Sequence, residues 1–243
     1  MPRRAAIRAL LFDKDGTLYD FRQVWLPIYR AAAAEAAAAA GAPGLAPRLL
    51  QAAGYDAASD SFEARSCLIS GTPAEIAEFW RAELGAGAPA DLTERMVRTF
   101  DALSSRESAP VTDLEALFGA LSSLGFGLGV ASMDSDAALK ATLAHGRWAR
   151  HIAFACGYDS GHGVKPEPGM VRAFARALGV AAAEVAVIGD SLRDIEMARA
   201  AGAGLAIAVA TGPTPAARLV EAADHLLPNI AALPAFFADA SPC

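Results

Sequence analysis

Cysteine is scarce: Cys67, Cys156 and Cys243 are the only three in 243 residues. They are odd in number, far apart and outside any Cys-x-x-Cys or Cys/His pattern, which excludes a disulfide framework and a zinc finger and points to a reducing cytoplasm. Lysine is scarcer than the basic total suggests. Of 21 basic residues only Lys14, Lys140 and Lys165 are lysines, so a lysine beside a chemical motif is less readily surface filling. Positive charge is lacking overall, the net being −6, which argues against a nucleic-acid or anionic-membrane surface. Long apolar runs are missing too. The alanine run from Ala31 to Ala40 is broken by Glu35 and falls short of the ~20 residues that a membrane span needs. The basic opening MPRR is followed by a short apolar stretch interrupted by Arg8, so no export signal is expected. No repeat of solenoid length occurs.

What is present is the composition of a packed globular protein, 54% hydrophobic and 20% charged. Alanine, about a quarter of the chain, favours helix and carries no functional information. The length suits one large domain or two unequal ones.

The apolar run Ala6–Phe12 reads as a buried strand ending at Asp13. A helical block follows from about Val24 to Phe100. Turn signals at Gly41–Gly44, Ser70–Pro73 and Gly85–Pro89 divide it into about four helices. Strand and helix then alternate: helix Leu114–Leu124, strand Gly127–Ala131, helix Ala137–Ala144, strand His151–Ala155. The rhythm continues with helix Gly169–Leu178, strand Val185–Ile188, helix Ser191–Ala201, strand Gly204–Ala210 and a short helix near Pro215–Ala223. This predicts an α/β fold with a doubly wound, mainly parallel sheet and a helical insertion. Ligands of such sheets gather at the carboxyl ends of strands. Asp13, Ser132, the Cys156–Lys165 loop, Asp190 and Thr211 should therefore share one crevice.

Asp13-Lys-Asp-Gly-Thr-Leu18 directly follows the first strand, and extended geometry sends residues i and i+2 to one side. Asp13 and Asp15 should face one site. Two neighbouring carboxylates make sense with a divalent cation between them, or with one of them protonated. Three further segments end predicted strands or follow them: Gly129-Val-Ala-Ser132 with a hydroxyl, Val164-Lys-Pro-Glu-Pro168 with a lysine before a rigid turn, and Ile188-Gly-Asp-Ser-Leu-Arg-Asp194 with two spaced acids.

This order resembles the haloacid dehalogenase superfamily, whose signature is D-x-D-G-T, a Ser or Thr, a Lys, and G-D-x-x-x-D. The likeness covers about residues 1–18 and 110–230, and the first and fourth motifs are the specific ones. The resemblance implies a Rossmann-like core, residues 1–18 and 108–243, and a helical cap, residues 19–107, as in phosphoglycolate phosphatase-like members. It implies that Asp13 is the nucleophile that forms an aspartyl-phosphate and Asp15 the acid/base. Ser132 and Lys165 match the phosphoryl-binding pair. Mg²⁺ would be held by Asp13, the backbone carbonyl of Asp15 and Asp190, with Asp194 supporting the metal shell or orienting Lys165. The expected activity is Mg²⁺-dependent hydrolysis of small phosphorylated metabolites in the cytoplasm, with no nucleic-acid or membrane partner and the oligomeric state left open.

A phosphomutase of the same superfamily remains an alternative, to be recognised by dependence on a bisphosphate activator. A non-catalytic phosphate-binding protein would be expected to lack a catalytic residue, and none is missing. Asp15 argues against a dehalogenase, and the length and large insertion against a signalling receiver. Lys14 stands where this branch usually has an apolar residue. Strand alternation should turn it away from the two acids, toward the sheet edge or cap junction, with a charge that tunes the acids or meets substrate as the alternative. Asp134 is expected to cap a helix, His162 to be incidental, and Trp25, Tyr29 and Trp80 to pack the cap core. Arg65 is a candidate clamp for an anionic tail, though a solvated helix position is preferred. Hinges are expected at Tyr19–Phe21 and Ser104–Ser108, and a specificity loop at Gly71–Pro73.

Overall fold

The computed structural model describes residues 6–63, 66–104 and 109–238; Arg65, Cys243 and most of the expected second hinge, 105–108, lie outside them. The chain starts with β1 (Ala9–Phe12) and then runs through α1 (Phe21–Ala39), α2 (Ala46–Ala52), a small hairpin of β2 (Tyr55–Asp56) and β3 (Ser61–Phe62), α3 (Cys67–Ser70), α4 (Pro73–Leu84) and α5 (Leu92–Ser104). Alternation follows: α6 (Leu114–Ser123), β4 (Gly127–Ala131), α7 (Asp136–His145), β5 (Ile152–Cys156), α8 (Gly169–Leu178) and β6 (Val185–Gly189). The last elements are α9 (Leu192–Ala201), β7 (Leu205–Val209), α10 (Ala216–Ala222), β8 (His225–Leu227) and α11 (Leu233–Ala238).

Six strands form one parallel sheet in the order β5-β4-β1-β6-β7-β8. The strand β1 is central and wholly buried, so its sequence ALLF is apolar throughout rather than alternating. Its side chains divide by parity. Leu10 and Phe12 join the core on one face with Phe118 of α6 and Leu233 of α11, while Ala9 and Leu11 join the opposite core with Phe174 of α8 and Ile195 of α9. The expected doubly wound α/β architecture is therefore present. Strand order reverses between β1 and β6, which makes their carboxyl ends the topological switch point. The register pairs Phe12 with Ile188, and the Asp13 amide donates to the Ile188 carbonyl at 2.8 Å, which sets Asp13 beside the end of β6.

The helices α1, α2, α4 and α5 pack against one another between β1 and α6 in the chain. Asp20 caps α1 by accepting from the Gln23 amide at 2.9 Å. Thr72 and Glu75 form a capping box at α4, with Pro73 at its start. The two crossings into and out of this helical stretch run side by side. The Asp20 amide donates to the Ala109 carbonyl at 2.8 Å and the Val111 amide to the Leu18 carbonyl at 3.0 Å. Among the described residues no helix is long and apolar enough to cross a membrane.

Three elements went unforeseen: the hairpin β2–β3, whose strands have two residues each, the three-residue strand β8 and the six-residue helix α11. All are too short to show a period.

Leu11 is fully buried between β4 and β6. Leu11→Ala should cost about 2–5 kcal/mol in denaturant unfolding; a loss below about 1 kcal/mol would contradict a close-packed centre of the sheet.

Candidate active site

At the carboxyl edge of the sheet a cleft of about 650 Å³, its solvent-open part included, receives Asp13, Asp15, Lys165, Asp190 and Asp194. These residues come from three separate stretches of chain, brought together by the parallel strand ends. Gly71 and Pro73, the expected specificity loop, line its other side.

Lys165 lies in the loop between β5 and α8, and its ammonium group is buried. Nζ donates to Asp13 Oδ1 and lies 2.6 Å from Asp194 Oδ1. Burial alone would lower its pKa, but the Asp13 and Asp194 carboxylates outweigh this and hold it above the ordinary lysine value. Lys165 is a fixed positive charge. Asp194 is positioned in turn by helix capping: its Oδ2 accepts from the Ser191 amide at 3.1 Å and hydroxyl at 2.6 Å, closing a capping box at the start of α9. One carboxylate thus starts a helix and anchors a lysine. The contact with Lys165 is the geometry that the orienting role needs, and Asp194 also stands among the carboxylates that a metal-shell role needs.

Asp190 follows β6 and is buried, with Oδ1 accepting from Thr17 Oγ1 at 3.3 Å. A Cβ on Gly16, whose φ is +91°, or on Gly212 would run into the Asp190 carboxylate. The Gly16 turn is held by Thr211, whose hydroxyl donates to its carbonyl at 2.6 Å. Carboxylate oxygens of Asp13, Asp190 and Asp194 lie within 4.8 Å of one another. Asp13 Oδ2 and Asp190 Oδ2 are buried without a hydrogen-bond partner. Burial, with the other acids adding, pushes Asp13 up to about 7 against the pull of Lys165, and it raises Asp190 well above the carboxylate range. Three buried carboxylates against one ammonium, with two oxygens unclaimed, fit a hard divalent cation. The side chain of Asp15 stands outside this cluster.

Ser132 ends β4 and is buried, its Oγ accepting from the Asp134 amide at 3.0 Å, which leaves the hydroxyl hydrogen free to donate elsewhere. It is not among the residues that line the cleft. His162 is also absent from the lining and lies near the ring of Phe154, 5.9 Å between centroids. Trp80 is fully buried, as expected of core packing. Trp25 and Tyr29 are buried but also line the cleft, a part that the core reading did not include.

Two expectations need correction. Lys14 does not turn away: its ammonium lies 2.7 Å from Asp15 Oδ1 and 3.0 Å from Asp134 Oδ2. The reason is that β1 stops at Phe12. The Leu18 and Tyr19 amides then donate to the Lys14 carbonyl at 2.8 and 3.1 Å, so the chain is turning and strand alternation no longer applies. Asp134 is not a helix cap either. Ser135 caps α7, its side chain accepting from the Ala138 amide, and Asp134 is the buried counter-ion of Lys14. Burial raises Asp134 to about 6 while Lys14 pulls it down; in Lys14 burial is outweighed by Asp134 and Asp15, which raise it. The scarcity of lysine and the adjacency of Lys14 to both acids were the available signals.

Residues 7–202 match the family model of haloacid dehalogenase-like hydrolases. The chain is 30% identical over 195 residues to the phosphoglycolate phosphatase of Xylella fastidiosa, covering 80% of this chain and 77% of that protein. Among solved structures, CbbY from Rhodobacter sphaeroides, in complex with phosphate, is similar with a TM-score of 0.66 and 26% identity over 93% of this chain and 96% of that one. A predicted phosphoglycolate phosphatase from Haemophilus somnus shares the fold at a TM-score of 0.72 and 16% identity, covering 95% of this chain and 98% of that one. The expected enzyme class, phosphoric monoester hydrolase, is the one that the curated relatives carry.

Lys14→Met should lower stability by about 3–5 kcal/mol at pH 8, because it leaves Asp134 buried without its partner. The deficit should shrink toward pH 5, where Asp134 takes a proton, and Asp134→Asn added to Lys14→Met should recover part of it. Urea unfolding at the two pH values checks this; an equal deficit at both would remove the ion pair as the cause.

Proposed function

The chain belongs to the haloacid dehalogenase-like hydrolase family, and from that premise we propose that it is a Mg²⁺-dependent phosphatase hydrolysing small phosphorylated metabolites through an aspartyl-phosphate on Asp13. One observation carries this reading: a buried lysine bridges Asp13 to Asp194, with two carboxylate oxygens beside it left without partners. Asp13 and Asp190 would hold Mg²⁺, together with the backbone carbonyl of Asp15. When bound, the cation offsets charge on the phosphoryl oxygens and on the crowded acids.

The remaining chemistry belongs to the chain. The Asp13 carboxylate attacks phosphorus in line, forming the acyl-phosphate bond as the ester P–O bond breaks. The departing oxygen takes a proton from Asp15. Lys165 supplies a fixed positive charge to the equatorial oxygens, and Ser132 a hydrogen bond. In the second half Asp15 takes a proton from water as that water attacks phosphorus, releasing phosphate and regenerating Asp13. The Lys14 ammonium, in contact with Asp15 at 2.7 Å, limits the orientations of that carboxyl group. We assign residues 19–107 to the cap and 1–18 and 108–243 to the core, a division supported by the paired crossings at 18–20 and 109–111. Closure of such a cap would exclude water from the first step.

Phosphate release from a panel of esters, phosphoglycolate among them, tests the reading. Turnover should require Mg²⁺, need no bisphosphate activator, and disappear in Asp13→Asn; retained turnover in that variant would remove Asp13 as nucleophile. Asp190→Asn should move the Mg²⁺ titration to higher concentration, and an unchanged titration would refute its ligand role.

Metal and pH should also be linked in stability. Because burial raises Asp13 and Asp190 above their unfolded values, their metal-free contribution is fully present below about pH 4 and is lost as pH rises, through about 7 for Asp13. Mg²⁺ should therefore raise the melting temperature more at pH 8 than at pH 5.5. A shift equal at both values would count against the carboxylates as ligands.

A further inference from the structure

Away from Lys165 the cleft has a wall of one chemical kind. Phe21, Trp25 and Tyr29 of α1 and Phe100 of α5 line it, and all four are buried. Trp25 and Tyr29 meet Phe100 edge to face, with centroids 5.4 and 5.5 Å away, so the rings form a packed wall rather than an open cage. The hydroxyl of Tyr29 is already used, donating to the Leu68 carbonyl at 2.6 Å. The indole N–H of Trp25 is not: it is buried without a protein acceptor.

The charge of the lining is mostly negative. Among the described residues Lys165 is the only lysine or arginine that lines the cleft, and it is held by Asp13 and Asp194. Arg193 reaches the Lys165 carbonyl at 3.3 Å, but Glu75 holds its guanidinium from both sides at 3.0 and 3.3 Å. On the wall itself the charged residue is acidic: Asp101 of α5 lines the cleft and accepts from Ser135 Oγ at 2.8 Å. A carboxylate or second phosphate on the leaving group would lose its hydration, find no counter-charge among the described residues and face Asp101. An uncharged aromatic or aliphatic body would lose nothing comparable on entering and would bury apolar surface against the rings. Specificity then comes from repulsion of anionic esters as much as from attraction of neutral ones.

We propose that the substrate is a phosphate monoester with an uncharged leaving group, which lays an apolar or aromatic face on Trp25, Tyr29 and Phe100. The phosphoryl half of this inference rests on the phosphatase reading above. The leaving-group half rests on the wall alone, and it separates this chain from an enzyme tuned to a small carboxylate-bearing ester.

Three esters that all depart as primary alkoxides test it: 2-phenoxyethyl phosphate, benzyl phosphate and 2-phosphoglycolate, with kcat/KM measured for the full chain with Mg²⁺. Both aryl esters should exceed phosphoglycolate by at least about tenfold, a size that loss of one buried polar or charged partner readily produces. Asp101→Lys should move the ratio toward phosphoglycolate by about tenfold or more. A wild type that turns over phosphoglycolate as well as the aryl esters, or better, overturns the proposal. If no ester is hydrolysed the phosphatase reading fails on its own, and calorimetric binding of the same three esters then decides: tighter aryl esters sustain the inference, and tighter phosphoglycolate ends it.

Discussion

The ammonium group of Lys165 is placed where water cannot hydrate it, between Asp13 at the end of β1 and Asp194 in the first turn of α9. A buried charge persists only if it is paired and hydrogen-bonded, and the surrounding architecture supplies that pairing. Parallel strands bring the ends of β1 and β6 together. The capping box of α9 fixes Asp194, and the Ser191 hydroxyl that closes it has no freedom to leave. Thr17 and two glycines close in on Asp190 beside it. The arrangement remains acidic on balance, and that surplus is what makes a divalent cation a natural occupant.

A second buried lysine extends the same logic one layer outward. Lys14 joins Asp15 to Asp134, and Ser135, next along the chain, donates to Asp101 of α5. Polar contacts therefore run from the first motif through the loop after β4 to the helical stretch above the cleft. Glu75 of α4 and Arg193 of α9 make a further link across it. The Arg193–Glu75 pair is partly exposed and exchanges with water at modest cost, whereas the Lys14–Asp134 pair is buried and is costly to break.

Much of this was legible in the residues. Strands β1, β4 and β6 are short apolar runs bounded by turn or polar residues, and each of the four motifs ends or follows a strand. Asp13, Asp190 and Asp194 could be placed because each sits just past a strand or on the first turn of a helix, where local rules decide direction; Lys165, in the loop between β5 and α8, was reached through the order of the motifs. Lys14 could not. Its orientation depends on where β1 stops and on a turn closed by amides four and five residues ahead, and its partner Asp134 is 120 positions away. The aromatic wall was half visible: Trp25 and Tyr29 showed the spacing of one helix face, but that this face borders a cleft is a matter of how α1 meets α5, which periodicity does not carry.

The account depends on Asp13 forming a bond to phosphorus while Lys165 holds the transferred group. Rapid acid quench during turnover of a Mg²⁺-dependent ester, followed by peptide mass spectrometry, reads that bond directly. The account predicts a hydroxylamine-labile phosphoryl adduct on the peptide that contains Asp13. Turnover with no such adduct, or with the phosphoryl group on another residue, would contradict it.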